Sequence, residues 1–71
     1  MAFDYSKLRG KIREIYKTQE AFANAMGCST ATISSKLNCN VDFTQDEIAK
    51  AVAALRLSME DIPTYFFTEL V

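Results

Sequence analysis

The stretch that decides the fold is residues 19–38, which read QEAFANAMGCSTATISSKLN. Phe22 and Met26 stand four residues apart, so both side chains would lie on one face of a helix. Ala23 beside them is small enough to let a second helix cross closely. Gly27 can take the left-handed backbone conformation that commonly ends a helix. The first half of the stretch therefore predicts a short helix that ends in a glycine turn.

The second half of the stretch predicts another helix and the direction in which it points. Ser29 is a preferred N-cap residue, and the helix that it opens runs to about Asn38. Ile33 and Leu37 share a face and would pack toward the core. Since Ile33 would hold this helix against the preceding one, its N-terminal residues would project into solvent. An exposed helix start on a rigid base fits the major groove of DNA, and its positive dipole favours phosphate.

The rest of the chain predicts three further helices and no strand. The predicted helix starts are Asp4 for a helix over about 5–16, Thr18 for one over about 19–26, Ser29, Thr44 with Glu47 as a capping box, and Ser58 with Asp61 for a last short turn. Gly10, inside the first helix, costs about 1 kcal/mol in helix propensity and so suggests a closely packed neighbour. Pro63 is expected to stop regular structure. The predicted fold class is all-α with five helices.

The composition favours one small folded domain over residues 1–71. The chain is 49% hydrophobic and 24% charged with one proline, which is typical of a globule and not of a disordered segment. No apolar run approaches the roughly 20 residues of a membrane span. The N-terminus carries charge instead of an apolar signal core, so a cytoplasmic protein is expected. In that compartment Cys28 and Cys39 are expected to be free thiols.

The charge is divided unevenly along the chain. Residues 1–40 hold six basic and three acidic residues, whereas residues 41–71 hold two basic and six acidic residues. Five of the basic residues lie on the first predicted helix or just after it: Lys7, Arg9, Lys11, Arg13 and Lys17. A positive half can present one face to an anion, although both halves could simply keep the domain soluble. The isoelectric point near 5.2 counts against nucleic acid, because nucleic-acid-binding domains are usually basic.

The chain resembles the phage Cro and repressor family of helix-turn-helix proteins, also called lambda-repressor-like. Five residues fall where that family places them, namely Gln19, Phe22, Ala23, Gly27 and Ile33. The segments FDYSKLRGKI, TQEAFANAMG, ISSKLN, FTQDEI and YFF, spread over 3–67, are similar to those of short single-domain phage regulators, including modulators of repression. The resemblance implies a five-helix domain with its helix-turn-helix at helices 2 and 3, over residues 19–38.

The resemblance also implies which residues would meet DNA. Thr18 and Gln19 would touch phosphate, Ser29, Thr30, Ala31, Ser34 and Ser35 would face the bases, and Lys36 would reach phosphate. The family usually has an apolar residue three positions after Ile33, where this chain has Lys36 and then Leu37. The base-facing set also lacks Arg, Gln or Asn for a bidentate base contact, which predicts weak discrimination between sequences. The alternative is that these hydroxyls serve only as caps and solvated surface.

Two functions remain open at this point. The first is a Cro-like transcriptional regulator that binds double-stranded operator DNA, as a homodimer on a palindromic site. The second is an antirepressor, or modulator of repression, that binds a phage repressor protein. The basic first helix and the intact motif favour DNA, which is the preferred interpretation, while the acidic isoelectric point favours the protein partner. Tyr65, Phe66 and Phe67 either close the core or form an exposed patch for a partner.

Catalysis is not expected. The chain has no histidine, so a serine or cysteine nucleophile would lack its usual base. Two cysteines without histidine cannot make a four-ligand zinc site. Asp46, Glu47 and Asp61 lie at predicted helix starts, where the helix dipole explains a carboxylate. We therefore expect no enzyme activity, no metal or other cofactor, no small-molecule substrate and no membrane partner.

Overall fold

The computed structural model describes residues 3–69, which form five α-helices. These are α1 (Ser6–Tyr16), α2 (Gln19–Met26), α3 (Thr30–Leu37), α4 (Gln45–Ala54) and α5 (Ile62–Phe66), with a 3-10 turn over Met59–Asp61 leading into α5. Within the described range there is no strand, only one antiparallel bridge between Phe3 and Glu69. Beside it the Asp4 amide donates to the Thr68 carbonyl at 2.7 Å, which joins the two ends of the fold. The prediction of an all-α chain with five helices is confirmed.

Local capping sets the helix starts. Thr18 accepts a hydrogen bond from the Ala21 amide at 3.1 Å, and Ser29 accepts one from the Thr32 amide at 3.1 Å. Asp4 acts one residue earlier than a standard cap, since its carboxylate accepts from the Ser6 amide at 2.9 Å and α1 begins at Ser6. The predicted starts of α1, α2 and α3 are therefore correct to within one or two residues.

The fourth helix opens with the capping box that the sequence predicts. The Glu47 amide donates to the Thr44 hydroxyl at 3.2 Å, and the Glu47 carboxylate accepts from the Thr44 amide at 2.8 Å. Ser58 and Asp61 make a similar pair around the 3-10 turn, where the Ser58 amide donates to the Asp61 carboxylate at 3.0 Å.

Two expectations about single residues were wrong. Pro63 does not stop regular structure; it lies in the first turn of α5, where its fixed φ suits a helix and its missing N–H is not needed. Gly10 has no close neighbour, because a Cβ built there would meet no atom within 4 Å outside its own helix. Gly10 therefore costs helix stability without a packing reason.

The core is one apolar cluster centred on α2. Phe22 and Ala23 are fully buried, and α2 packs against α1, α3 and α4. The buried hydrophobic residues around it are Tyr5, Leu8, Ile12, Met26, Ile33, Leu37, Ala51, Val52, Leu55 and Phe66. Cys28 and Cys39 are half-buried free thiols. No helix between residues 3 and 69 is long and apolar enough to cross a membrane.

Candidate protein and nucleic-acid interfaces

A three-residue turn, 27–29, connects α2 to α3. Gly27 adopts the left-handed conformation with φ 76° and ψ 27°, which a residue with a side chain rarely takes. Its amide donates to the Asn24 carbonyl at 3.1 Å, and the Cys28 amide donates to the Ala23 carbonyl at 3.0 Å. These bonds satisfy the last carbonyls of α2 and fix the direction in which α3 leaves the turn.

The inner face of α3 determines which of its residues reach solvent. Ile33 and Leu37 are buried against the core, so the opposite side of the helix faces outward. Ser29, Thr30 and Ala31 are exposed, as expected for the projecting start of the helix. The Ser29 hydroxyl is already engaged with Thr32, whose hydroxyl lies 2.9 Å away. The exposed start of α3 therefore offers mainly the Thr30 hydroxyl and the Ala31 methyl group.

The other residues expected at DNA are less uniform in position. Thr18 is exposed at the N-terminus of α2, and Gln19 beside it is half-buried. Ser34 and Ser35 are both half-buried on α3, one turn beyond the exposed start.

Lys36 does not lie on this surface. It is the one buried charged residue among residues 3–69, with 6% of its surface exposed. Its ammonium forms an ion pair with Glu47 at 2.8 Å and donates to the Asp42 carbonyl at 3.1 Å. The same ammonium lies 6.0 Å from the centre of the Phe43 ring. The expectation that Lys36 reaches phosphate is corrected: its charge is turned inward and already neutralised.

A basic depression adjoins the start of α2. Arg9, Arg13 and Lys17 line it together with Thr18 and Gln19, around a volume of about 150 Å³. Arg9 is partly held in place, since its guanidinium donates to the Asn38 side-chain oxygen at 2.8 Å and to the Leu37 carbonyl at 3.2 Å. The structure thus brings the two residues expected at phosphate next to three cations.

The three cations of this depression could have been grouped from their spacing in the sequence. Arg9, Arg13 and Lys17 recur every four residues, which places them on one face of α1 and its C-terminal extension. Lys17, the C-cap of α1, has a positive φ of 73°, so the chain changes direction there, immediately before Thr18, the N-cap of α2. That turn, which spacing does not reveal, makes the cations and the α2 start neighbours.

The C-terminal aromatic residues are divided between core and surface. Phe66 is 1% exposed and packs edge-on against Phe43 with ring centres 5.4 Å apart, so it closes the core. Tyr65 is half-buried. Phe67 is 50% exposed, and its contact is with Phe3, whose ring centre lies 5.8 Å away. Phe66 therefore closes the core, whereas Phe67 is exposed, and its use by a partner stays a prediction.

The chain belongs to one described protein family, and it is similar in sequence and structure to a phage protein. It belongs to the family described as Protein of unknown function (DUF739), whose model matches residues 1–69. It is also similar to the modulator of repression (MOR) of the temperate bacteriophage TP901-1 from Lactococcus lactis, known from a solution structure. The identity is 55%, the TM-score is 0.83, and the match covers 94% of this chain and 90% of that chain. No curated protein matches.

The comparison favours one of the two functions considered from the sequence. The similar protein is a phage modulator of repression, so the second function, modulation of repression, is better supported than a Cro-like regulator. The resemblance to short phage modulators is confirmed. The wider resemblance to the Cro and repressor family stays a prediction.

Proposed function

We propose that this chain is a phage modulator of repression that acts by binding a phage repressor protein. The observation that carries the proposal is the 55% identity to the TP901-1 modulator over nearly the whole of both chains. Among residues 3–69 only twelve hydrophobic residues and Lys36 are buried. Identity at that level needs many more positions than those, so most identical residues lie on partly or fully exposed parts of the fold. Many residues outside the fully buried core are therefore shared with a modulator, and this supports a shared partner class.

The charge of the chain supports a protein partner. The net charge is −1, and Lys36, one of eight basic residues, is neutralised inside the fold. The exposed start of α3 presents small hydroxyl and methyl groups, which make poorer base contacts than Arg, Asn or Gln. A DNA-binding domain instead neutralises several phosphates with surface cations.

Operator binding is the second candidate function, and one observation favours it. The basic depression lined by Arg13 and Lys17 adjoins Thr18 and Gln19, the residues expected at phosphate. In this candidate α2 and α3 form a helix-turn-helix over residues 19–38 of a single domain, 1–71. The base-facing residues would be Ser29, Thr30, Ala31, Ser34 and Ser35, and a homodimer would bind a palindromic operator.

Parallel titrations of one protein preparation distinguish the two candidates. The purified chain is titrated against the repressor of the same phage by calorimetry, and against labelled operator DNA by gel shift, with and without that repressor. The modulator proposal expects a defined complex with the repressor, release of the repressor from the operator, and no shift of DNA by the chain alone. A specific shift of operator DNA by the chain alone, with no repressor complex, would establish the Cro-like function instead.

Salt dependence provides a further check on the DNA candidate. Replacing Arg13 and Lys17 by Gln should each lower the log–log salt slope of operator binding by about one if both meet phosphate. Lys11→Gln is a matched control, because Lys11 is paired with Glu14 at 3.3 Å.

Under either candidate we propose a binding protein of the cytoplasm without a cofactor. We also propose that it has no catalytic activity, since the chain has no histidine to serve as a base.

A further inference from the structure

Exposed apolar side chains mark a groove between α4 and the 3-10 turn with α5. Among residues 3–69 three large hydrophobic side chains are exposed, namely Val41 at 52%, Met59 at 74% and Phe67 at 50%. Two of them, Met59 and Phe67, line one groove of about 290 Å³. We call it the α4–α5 groove; its walls are Gln45, Ile48, Ala49, Met59, Ile62 and Phe67.

The groove continues into a second depression. Ile48 and Phe67 also line a hollow of about 400 Å³, whose other walls include Phe3, Tyr5 and Phe43. Phe67 therefore stands between two apolar hollows with half of its surface in solvent. Half of this large apolar side chain is not removed from water, so Phe67 contributes less to folding than a fully buried phenylalanine would. Exposed apolar side chains that lie together on a surface are a feature of interaction sites.

Most of the charged residues beside the groove walls are acidic. Asp46 follows Gln45, and Glu60 follows Met59, while Asp42 lines the neighbouring hollow. All three are exposed, and in the described part of the chain none of them forms an ion pair. Lys50, which follows the wall residue Ala49, is the one basic residue of α4. The charged residues next to the groove walls in sequence are thus mainly acidic, and we call Asp42, Asp46 and Glu60 its acidic rim. The groove shares no residue with the basic depression beside α2.

We propose that the α4–α5 groove binds a basic amphipathic segment of the repressor protein, with an apolar side chain seated between Met59 and Phe67. This inference rests on the proposed function. A protein that binds operator DNA carries Lys and Arg on its surface, and those cations complement Asp46 and Glu60. An apolar anchor flanked by complementary charges is the usual form of a segment recognised in a groove.

Other occupants fit the groove less well. A second copy of the chain, related by a two-fold axis, would bring the acidic rims together, and like charges at an interface oppose association. DNA would meet the same negative rim. The repressor segment is the occupant whose charge matches.

Substitutions in the groove test the inference by calorimetry with the purified repressor. Met59→Ser removes the most exposed anchor and should weaken binding about tenfold or more, as expected for loss of a buried methionine contact. Val41→Ser is the matched control, because Val41 is exposed and apolar but lines neither hollow. It should bind normally. Because Met59 is 74% exposed, both variants should keep the circular dichroism spectrum and melting temperature of the parent.

The acidic rim is tested with a charge-matched pair of variants. Asp46→Asn with Glu60→Gln should weaken repressor binding about threefold to tenfold at low salt and less at high salt, because rim charges act over a Debye length. Glu14→Gln with Glu20→Gln makes the same change in net charge on α1 and α2 and should leave affinity unchanged.

Each remaining outcome overturns the inference in a recognisable way. Normal repressor affinity of a folded Met59→Ser variant would remove the groove from the site and leave the proposed function standing. Equal losses in Met59→Ser and Val41→Ser would show that no particular groove is used. A parent dimer that Met59→Ser dissociates, measured by sedimentation, would assign the groove to a second copy. Failure of the parent chain to bind the repressor at all would overturn both the groove and the proposed function.

Discussion

Removing the two members of the Lys36–Glu47 ion pair should have very unequal effects on stability. The pair joins α3 to the first turn of α4, with nitrogen and oxygen 2.8 Å apart. The lysine side chain is 7% exposed and the glutamate side chain 26% exposed. Water can therefore reach the carboxylate but scarcely reaches the ammonium, whose other hydrogen-bond acceptor is the Asp42 carbonyl. The loss of stability therefore depends on which of the two charges is left without its partner.

Glu47→Ala leaves the buried charge alone. It removes the carboxylate from the ammonium, and it also removes the side chain that caps the Thr44 amide. Loss of a cap costs about 1 kcal/mol, and loss of a hydrogen bond to a charged group costs about 1.5–3 kcal/mol. Since water partly screens the glutamate, we expect a total of about 2–3 kcal/mol.

Lys36→Met leaves the accessible charge alone. The methionine keeps an unbranched apolar chain against Phe43, and the carboxylate of Glu47 keeps its bond to Thr44 and its access to water. A buried ion pair is often no more stable than an apolar replacement, so the expected loss is under about 1 kcal/mol. The double variant Lys36→Met with Glu47→Ala should be more stable than Glu47→Ala alone, because no ammonium is stranded.

Urea unfolding at pH 7, followed by circular dichroism, measures these differences as shifts in the free energy of unfolding. Glu14→Ala is the control, because Glu14 is 67% exposed in its pair with Lys11 and should change stability by less than about 0.5 kcal/mol. A double variant less stable than Glu47→Ala would refute the reasoning, since it would mean that Lys36 stabilises the fold without its partner.

The same pair should make the fold sensitive to acid. Burial raises the pKa of Glu47, but the hydrogen bonds from Lys36 and from the Thr44 amide and the lysine charge outweigh burial and hold that pKa below its ordinary 4.5. The folded-state pKa is the lower one, so this contribution is complete above about pH 4.5 and is lost as pH falls through the lowered pKa. Lys36→Met should therefore lose less stability than the parent between pH 7 and pH 3. An equal acid-induced loss in both proteins would contradict the assignment.

Three further substitutions test the fold. Gly10→Ala should stabilise α1 by about 0.5–1 kcal/mol, because the helix gains propensity and a Cβ there meets no atom within 4 Å outside the helix; a lower melting temperature would contradict this. Gly27→Ala should instead destabilise by about 1–2 kcal/mol, because φ is 76° at that position; an unchanged urea midpoint would show that the turn relaxes. Ile33→Asp should unfold the chain or nearly so, since it places an unpaired charge in the core, and a cooperative melt near that of the parent would refute the packing described for α3.

The parts of the fold that depend on neighbouring residues in sequence could be predicted. Thr18, Ser29 and Thr44 each cap an amide three residues further on, so the residue type and the spacing are enough. The role of Pro63 was harder to predict, because proline occurs both where helices end and where they begin. Only the preceding 3-10 turn shows that Pro63 lies at a helix start. The prediction for Gly10 was wrong, because a glycine in a helix has the same sequence appearance with or without a close neighbour.

The buried position of Lys36 could be predicted only in part from the sequence. In the Cro and repressor family, which the sequence resembles, the residue three positions after Ile33 is usually apolar. Lys36 stands at that position and is buried, although its charge suggested a surface role. What the sequence could not supply was the compensating partner, Glu47, eleven residues later and already explained as part of a capping box. One carboxylate thus serves the helix start and the buried cation together.

The candidate interfaces depend on contacts between distant residues, which explains why the sequence located them only in part. Phe66 and Phe67 are adjacent and equally apolar, yet one is 1% and the other 50% exposed, because α5 ends at Phe66 and the chain then turns back toward Phe3. Met59 owes its exposed position to the 3-10 turn. A segment of three residues is too short to show a periodic pattern in the sequence, so this turn could not be predicted from periodicity. A residue pattern can thus identify an apolar side chain, but whether that side chain closes the core or is left for a partner is decided by where the helix before it ends. In this chain Met59 at the start of the 3-10 turn and Phe67 just after the end of α5 line one groove, and that arrangement makes the acidic half the better candidate for a protein partner.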